Sequence, residues 1–113
     1  ILELVSKVTT NAGGLFVLEP WITPSLFYRF LGKGKGEAAF DSYTLCEVLG
    51  PIKGNKLMRA HLDSWWYPSD FKNLADRGVE IIRLPIGDWT LNPYGPYKGC
   101  MDGAAEKIDW FYD

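Results

Sequence analysis

Histidine is almost missing from this 113-residue chain, which has His61 as its one imidazole. Without a second histidine the usual zinc helices and knuckles are excluded. A hydrolytic triad would have to rest on that single ring, with no G-x-S-x-G turn to serve it. Cysteine is nearly as scarce. Cys46 and Cys100 are too few for a disulfide scaffold and too far apart for a two-cysteine metal knuckle. They read either as two buried free thiols or as a single disulfide of an oxidising compartment. Charge of one sign is lacking too. The formal net charge is −2 and no five-residue basic run occurs, so neither nucleic acid nor a membrane surface is an expected partner. No apolar run approaches the roughly 20 residues that span a bilayer. The glycine-rich "GKGKGE" lacks both the Lys-Ser/Thr ending and the preceding strand of a phosphate loop. The start, "ILELVSKVTT", has no initiator Met, no basic stretch leading into a long apolar core and no small-residue cleavage site, and so reads as the inside of a longer chain.

Aromatic residues are plentiful. Five Trp, six Tyr and six Phe make up 15% of the chain, several beside Pro or Gly where loops are expected. Flat apolar faces near loops suit sugar rings, whose CH faces are apolar and whose hydroxyls need polar partners. The rest of the composition, 47% hydrophobic and 23% charged, is that of an ordinary globular domain.

Along the chain, the unbroken apolar run at 14–18 reads as a strand buried on both faces, stopped by Pro20 and Pro24. A glycine- and lysine-rich surface loop, "LGKGKGEAAF", follows. Asp41 then caps a short helix closed by Gly50 and Pro51. A weakly helical stretch from Asn55 leads to a helix with Ser69 as cap, Asp70 in its first turn, an apolar stripe of Phe71, Leu74 and Ala75, and Gly78 as terminator. Directly behind it "VEIIRLPIG" reads as a second buried strand. Strand, helix and parallel strand make a βαβ unit. Asp102 is placed to cap a last helix through Ala104, Ile108 and Phe111.

Two charged residues stand out, Glu19 and Arg83, each at or just past the end of an apolar run. In parallel α/β architectures that end is where ligands bind. Such a group either joins a structural ion pair or grips a ligand. For Arg83 the two readings are compatible, because a guanidinium held against a carboxylate keeps that acid ionised and oriented.

Four blocks, "NAGGLFVLEPWITPSLF", "DSYTLCEVLG", "HLDSWWYPSDFKNLADRGVEIIRLPIGDW" and Pro96-Tyr97, resemble in this order the N-terminal part of exo-β-1,3-glucanases of glycoside hydrolase family 5, the glucan 1,3-β-glucosidases of fungi and oomycetes. The similarity runs from about Thr10 to the end, and the loop "KGKGEAAFDSYTLCEVLGP" looks most like the oomycete members. The resemblance implies an α/β fold, the N-terminal part of a (β/α)8 TIM barrel containing about its first two strand-helix units. Residues 1–113 would then be part of a catalytic domain of about 250 residues at least. It implies release of glucose from the non-reducing ends of β-1,3-glucan with retention, by two glutamates about 5 to 5.5 Å apart. Neither glutamate falls within these residues, so the chain alone is expected to be inactive.

By the same resemblance Glu19 matches the acid that holds hydroxyls of the terminal glucose, and Arg83 the arginine that supports the nucleophile. Trp21 and Trp89 either line the mouth or pack in the core, and His61 with Trp65 forms a packing block. No cofactor or metal is implied. The full-length protein is expected to be a monomer, extracellular or in the cell wall. Two alternatives stand beside the enzyme: a non-catalytic glucan-binding protein built from a truncated barrel, and a decayed product. Exposed strand edges favour the second of these over the first.

Overall fold

The computed structural model describes residues 8–112; most of the opening stretch read above, and Asp113, lie outside them. Strand β1 spans Thr9–Asn11 and β2 spans Ile81–Arg83. They pair in parallel, with Thr9 opposite Ile81, Thr10 opposite Ile82 and Asn11 opposite Arg83. Between them run helix α1, Ser42–Ser64, and helix α2, Pro68–Asp76. After β2 come two 3-10 turns, Asp88–Thr90 and Gly95–Tyr97, and then helix α3, Ala104–Tyr112. The parallel pair with helices in its crossover is the expected βαβ arrangement, but β2 is not the buried strand expected, since Ile81 and Arg83 are exposed and Ile82 is half-buried. No described helix is long and apolar enough to cross a membrane.

The first strand is not where the apolar run suggests. Residues 14–18 form a buried irregular segment, and β1 lies upstream at the β-branched Thr9 and Thr10. The cause is the Gly13-Gly14 turn, where Gly14 takes φ +78 and a Cβ would stand 2.9 Å from Ile22 Cγ2. Beyond that turn the backbone is met by side chains rather than by a neighbouring strand. Trp65 Nε1 donates to the Gly13 carbonyl at 3.2 Å, His61 Nε2 donates to the Gly14 carbonyl at 2.6 Å, and Ser42 Oγ accepts from Leu18 N–H at 2.9 Å. Leu15 and Phe16, neighbours in sequence, are both fully buried and anchor the core.

Helix α1 starts where expected. The Asp41 carboxylate accepts from Thr44 N–H at 2.8 Å, and Thr44 Oγ1 accepts in return from Asp41 N–H at 3.2 Å. Gly50, at φ 78 and ψ 175, ends the first helical segment, but Pro51 at once begins a second that runs on to Ser64. Leu57, Met58, His61 and Leu62 give that second segment its buried face. The cap of α2 is Tyr67 rather than Ser69. Pro68 takes the first helical position, where no N–H is needed, and Asp70 Oδ2 accepts from Tyr67 N–H at 2.7 Å. Gly78 closes α2 as read, its N–H bonded to the Ala75 carbonyl at 3.0 Å and the next, Val79, to Leu74 at 3.0 Å. Asp102 does not begin α3: the carbonyl of Gly103 accepts its first helical bond, from Lys107 at 3.2 Å.

Cys46 and Cys100 are joined, which resolves the open pairing and ties α1 to the segment before α3 across 54 residues. The two backbones approach so closely that a Cβ on Gly54 would stand 2.7 Å from Cys100 Sγ. Asn55 reinforces the junction, donating to the carbonyls of Cys100 at 3.0 Å and Asp102 at 2.8 Å. Ala104 and Ile108 turn the buried face of α3 toward this core.

Candidate functional site

Because β1 and β2 are parallel, their C-terminal ends share one edge. Arg83 is the last residue of β2, exposed, with its carbonyl accepting from Ala12 N–H at 2.8 Å. The chain returns Glu19 to the same edge. Its Oε1 lies 3.9 Å from where a Cβ on Gly13 would stand, one residue past that hydrogen bond. Glu19 therefore reaches the edge by folding back over the glycine turn, not by ending a strand. Its own carbonyl accepts from Ile22 N–H at 2.8 Å and Thr23 N–H at 3.0 Å, which winds residues 19–23 into a tight turn. Trp21 sits on the outside of that turn and is 77% exposed.

Three residues hold Glu19 in place from behind. Ser42, in the first turn of α1, fixes Leu18, and His61 and Trp65, one helical turn apart, fix the two glycines beneath the carboxylate. Their rings also lie 5.4 Å apart. Burial pushes the His61 pKa below its ordinary value, against the smaller opposing pull of the Gly14 and Leu15 backbone. The imidazole is thus neutral, with its Nε2 proton committed to a carbonyl, and serves as a support rather than as a base. The H-x-x-x-W spacing marks this pair as sharing a helix face. Nothing in the sequence names the glycines as its targets, and Ser42 carried no signal beyond its place after a helix cap.

Trp89 is placed differently from Trp21. Its ring stacks on Tyr97 with centroids 4.6 Å apart and planes 5° from parallel, and its edge lies against Gly87, where a Cβ would collide with it. One face is therefore used in packing, and its indole N–H is buried without a partner among the described residues. Burial, with smaller contributions from Asp41 and Asp88, pushes the Tyr97 hydroxyl up to about 12.

Among the described residues no ion pair engages Glu19 or Arg83. A cleft of about 680 Å³ between residues 23–29 and α1, lined by Arg29, Lys53, Lys56, His61 and Trp65, includes neither of them. The edge therefore offers a carboxylate acceptor and a guanidinium donor on an open surface, a pairing suited to hydroxyl groups or to another carboxylate.

No protein-family model matches the chain. Curated relatives do. It is 41% identical over 108 residues to the probable glucan 1,3-beta-glucosidase A of Aspergillus clavatus, covering 95% of this chain and 24% of that protein. With the glucan 1,3-beta-glucosidase of Lachancea kluyveri it shares 37% identity over 120 aligned positions, gaps included, 98% of this chain and 26% of that protein. With glucan 1,3-beta-glucosidase 2 of Candida albicans it shares 37% over 105 residues, 88% of this chain and 22% of that protein. The chain thus spans about a quarter of the length of the curated relatives that it matches.

Proposed function

The chain belongs with the glucan 1,3-beta-glucosidases, and on that premise we propose that the protein carrying it is a glycoside hydrolase that releases glucose from the non-reducing ends of β-1,3-glucan. The observation that supports this most is the match over 95% of the chain, which takes in both Glu19 and Arg83. In this reading the two strands belong to a (β/α)8 barrel, and residues 1–113 are part of its catalytic domain.

The roles divide by chemistry. The Glu19 carboxylate accepts hydroxyls of the terminal glucose and so fixes the end of the chain. Arg83 supports a nucleophilic glutamate supplied from elsewhere in the protein, keeping it ionised for attack on the anomeric carbon while a second glutamate moves the proton; such a pair about 5 to 5.5 Å apart gives retention. Trp21, exposed beside Glu19, offers a face for the next sugar ring. The protein works outside the cell or in its wall, as a monomer.

Two substitutions in the intact protein test these roles on laminari-oligosaccharides. Arg83→Ala should lower kcat by about tenfold or more with KM little changed, because the interaction is made with the nucleophile and not with substrate. Glu19→Gln should lower kcat/KM by the equivalent of about 1–3 kcal/mol of lost stabilisation, the cost of leaving hydroxyl partners unmatched. Unchanged turnover in the first variant would remove Arg83 from the mechanism. Glucan binding without any glucose release from the wild type would favour the non-catalytic binding protein instead.

A further inference from the structure

A second group of aromatic rings gathers where α1 meets the segment after β2. Tyr97 is its post: 4% exposed, stacked on Trp89, and met edge-on by Tyr43 at 5.7 Å and by Tyr94 at 5.6 Å. Tyr43 and Tyr94 are 42% and 47% exposed, so the buried ring carries two open ones. We propose that Tyr43 and Tyr94 form a second contact surface for a β-linked glucan chain, with Asp88 as its hydroxyl acceptor.

Three observations support that occupant. First, the rings are held before any ligand arrives. Tyr43 stands in the first turn of α1, two residues after the Asp41 cap, and Tyr94 donates its hydroxyl to Asp88 Oδ1 at 3.1 Å. Its carbonyl also accepts from Tyr97 N–H at 3.0 Å. Large rings with few free torsions, already fixed, lose little freedom on binding. Second, Asp88 is exposed and its carboxylate keeps lone pairs beyond the one Tyr94 uses, so the Tyr94 ring has a hydroxyl acceptor beside it. Apolar faces beside hydroxyl partners are what a neutral polyol requires. Third, Asp41 and Asp88 lie close enough to Tyr97 to oppose its ionisation, and that negative field is unfavourable for nucleic acid.

The ligand class rests on the reading given above, but the surface acts on polymer length rather than on bond cleavage. The test is affinity electrophoresis of the intact protein through gels containing laminarin, beside turnover of 4-nitrophenyl β-glucoside, which reaches only the terminal-glucose position. The double variant Tyr43→Ala/Tyr94→Ala should bind laminarin about fivefold or more weakly, with short-substrate turnover changed by less than about twofold. Tyr43→Phe/Tyr94→Phe, which keeps both faces, should restore most of the retardation. Laminarin binding as tight as wild type in the alanine variant, or loss of short-substrate turnover in step with binding, would overturn the proposal. So would a wild type that laminarin does not retard. If the wild type is retarded, depends on both tyrosines and yet cleaves nothing, this surface stands and the hydrolase reading falls; equal melting temperatures of wild type and variant then serve as the control in place of turnover.

Discussion

The C-terminal edge of the two strands and the junction of α1 with the segment before α3 are held in opposite ways. The junction is closed by the Cys46–Cys100 bond, by two hydrogen bonds from Asn55 and by the Trp89–Tyr97 stack, with no room for a side chain at Gly54. The edge rests on three residue pairs of β1 and β2 and, at this end, on a backbone bond from Ala12 to Arg83, with its two charged side chains outside any ion pair among the described residues. Groups that must meet a ligand cannot also be consumed by internal partners, so the firmness lies one layer behind them. Ser42, His61 and Trp65 link the two regions, since all three belong to α1 or its C-cap and all three hold the backbone beneath Glu19.

The largest effect expected from breaking this contrast is at the junction. Cys46→Ala/Cys100→Ala should lower the unfolding free energy by about 4 kcal/mol, because the bond closes a long loop in the unfolded chain. Denaturant titration of oxidised and variant protein checks it. Arg83→Ala, by contrast, should change stability by no more than about 0.5 kcal/mol, as an exposed side chain with no ion-pair partner among the described residues. Comparable losses in the two variants would erase the distinction.

Next in size is the link. His61→Ala should cost about 2–3 kcal/mol, from the lost packing and from a Gly14 carbonyl left without its donor. The wild type carries a related pH signature. The folded-state pKa of His61 lies below its ordinary value of 6.5, so in the window between the two the unfolded chain binds more protons. Stability contributed by the neutral ring is then complete above pH 6.5 and falls as the pH drops toward the folded value. Melting temperatures followed from pH 7.5 to about 5 should show that decline in the wild type and a flatter profile in His61→Ala. Parallel profiles would remove His61 as its source.

The smallest effect is a surface control. Lys72 and Asp76 pair at 2.8 Å along α2, but both are well exposed, so Lys72→Ala should change stability by less than about 0.5 kcal/mol. A larger loss would mean that α2 is held by charge rather than by the contacts of Phe71 with Trp66 at 5.0 Å and Phe111 at 4.9 Å.

What could be read from sequence depended on how far apart the interacting residues lie. The Asp41 cap, the break at Gly50 and the close of α2 at Gly78 each involve groups within five residues, and each was legible. The apolar run at 14–18 was misread for the opposite reason: its carbonyl and amide partners stand 24 to 47 residues further on, and pattern alone cannot distinguish a buried strand from a buried segment satisfied by distant side chains. Tyr97 was marked only as part of the Pro96-Tyr97 block, and nothing there showed that two exposed tyrosines lean on it.

By itself, then, the sequence determined roughly where the helices and the second strand lie and raised Glu19 and Arg83 as the residues of interest, because glycine terminators, apolar periodicity and residue chemistry act locally. Only the tertiary structure decided that Cys46 meets Cys100, that Glu19 reaches the strand edge over a glycine turn, and that Trp21 faces outward while Trp89 packs inward. Those outcomes depend on which distant group satisfies each buried polar atom and fills each space, and that is settled only when the whole chain packs together.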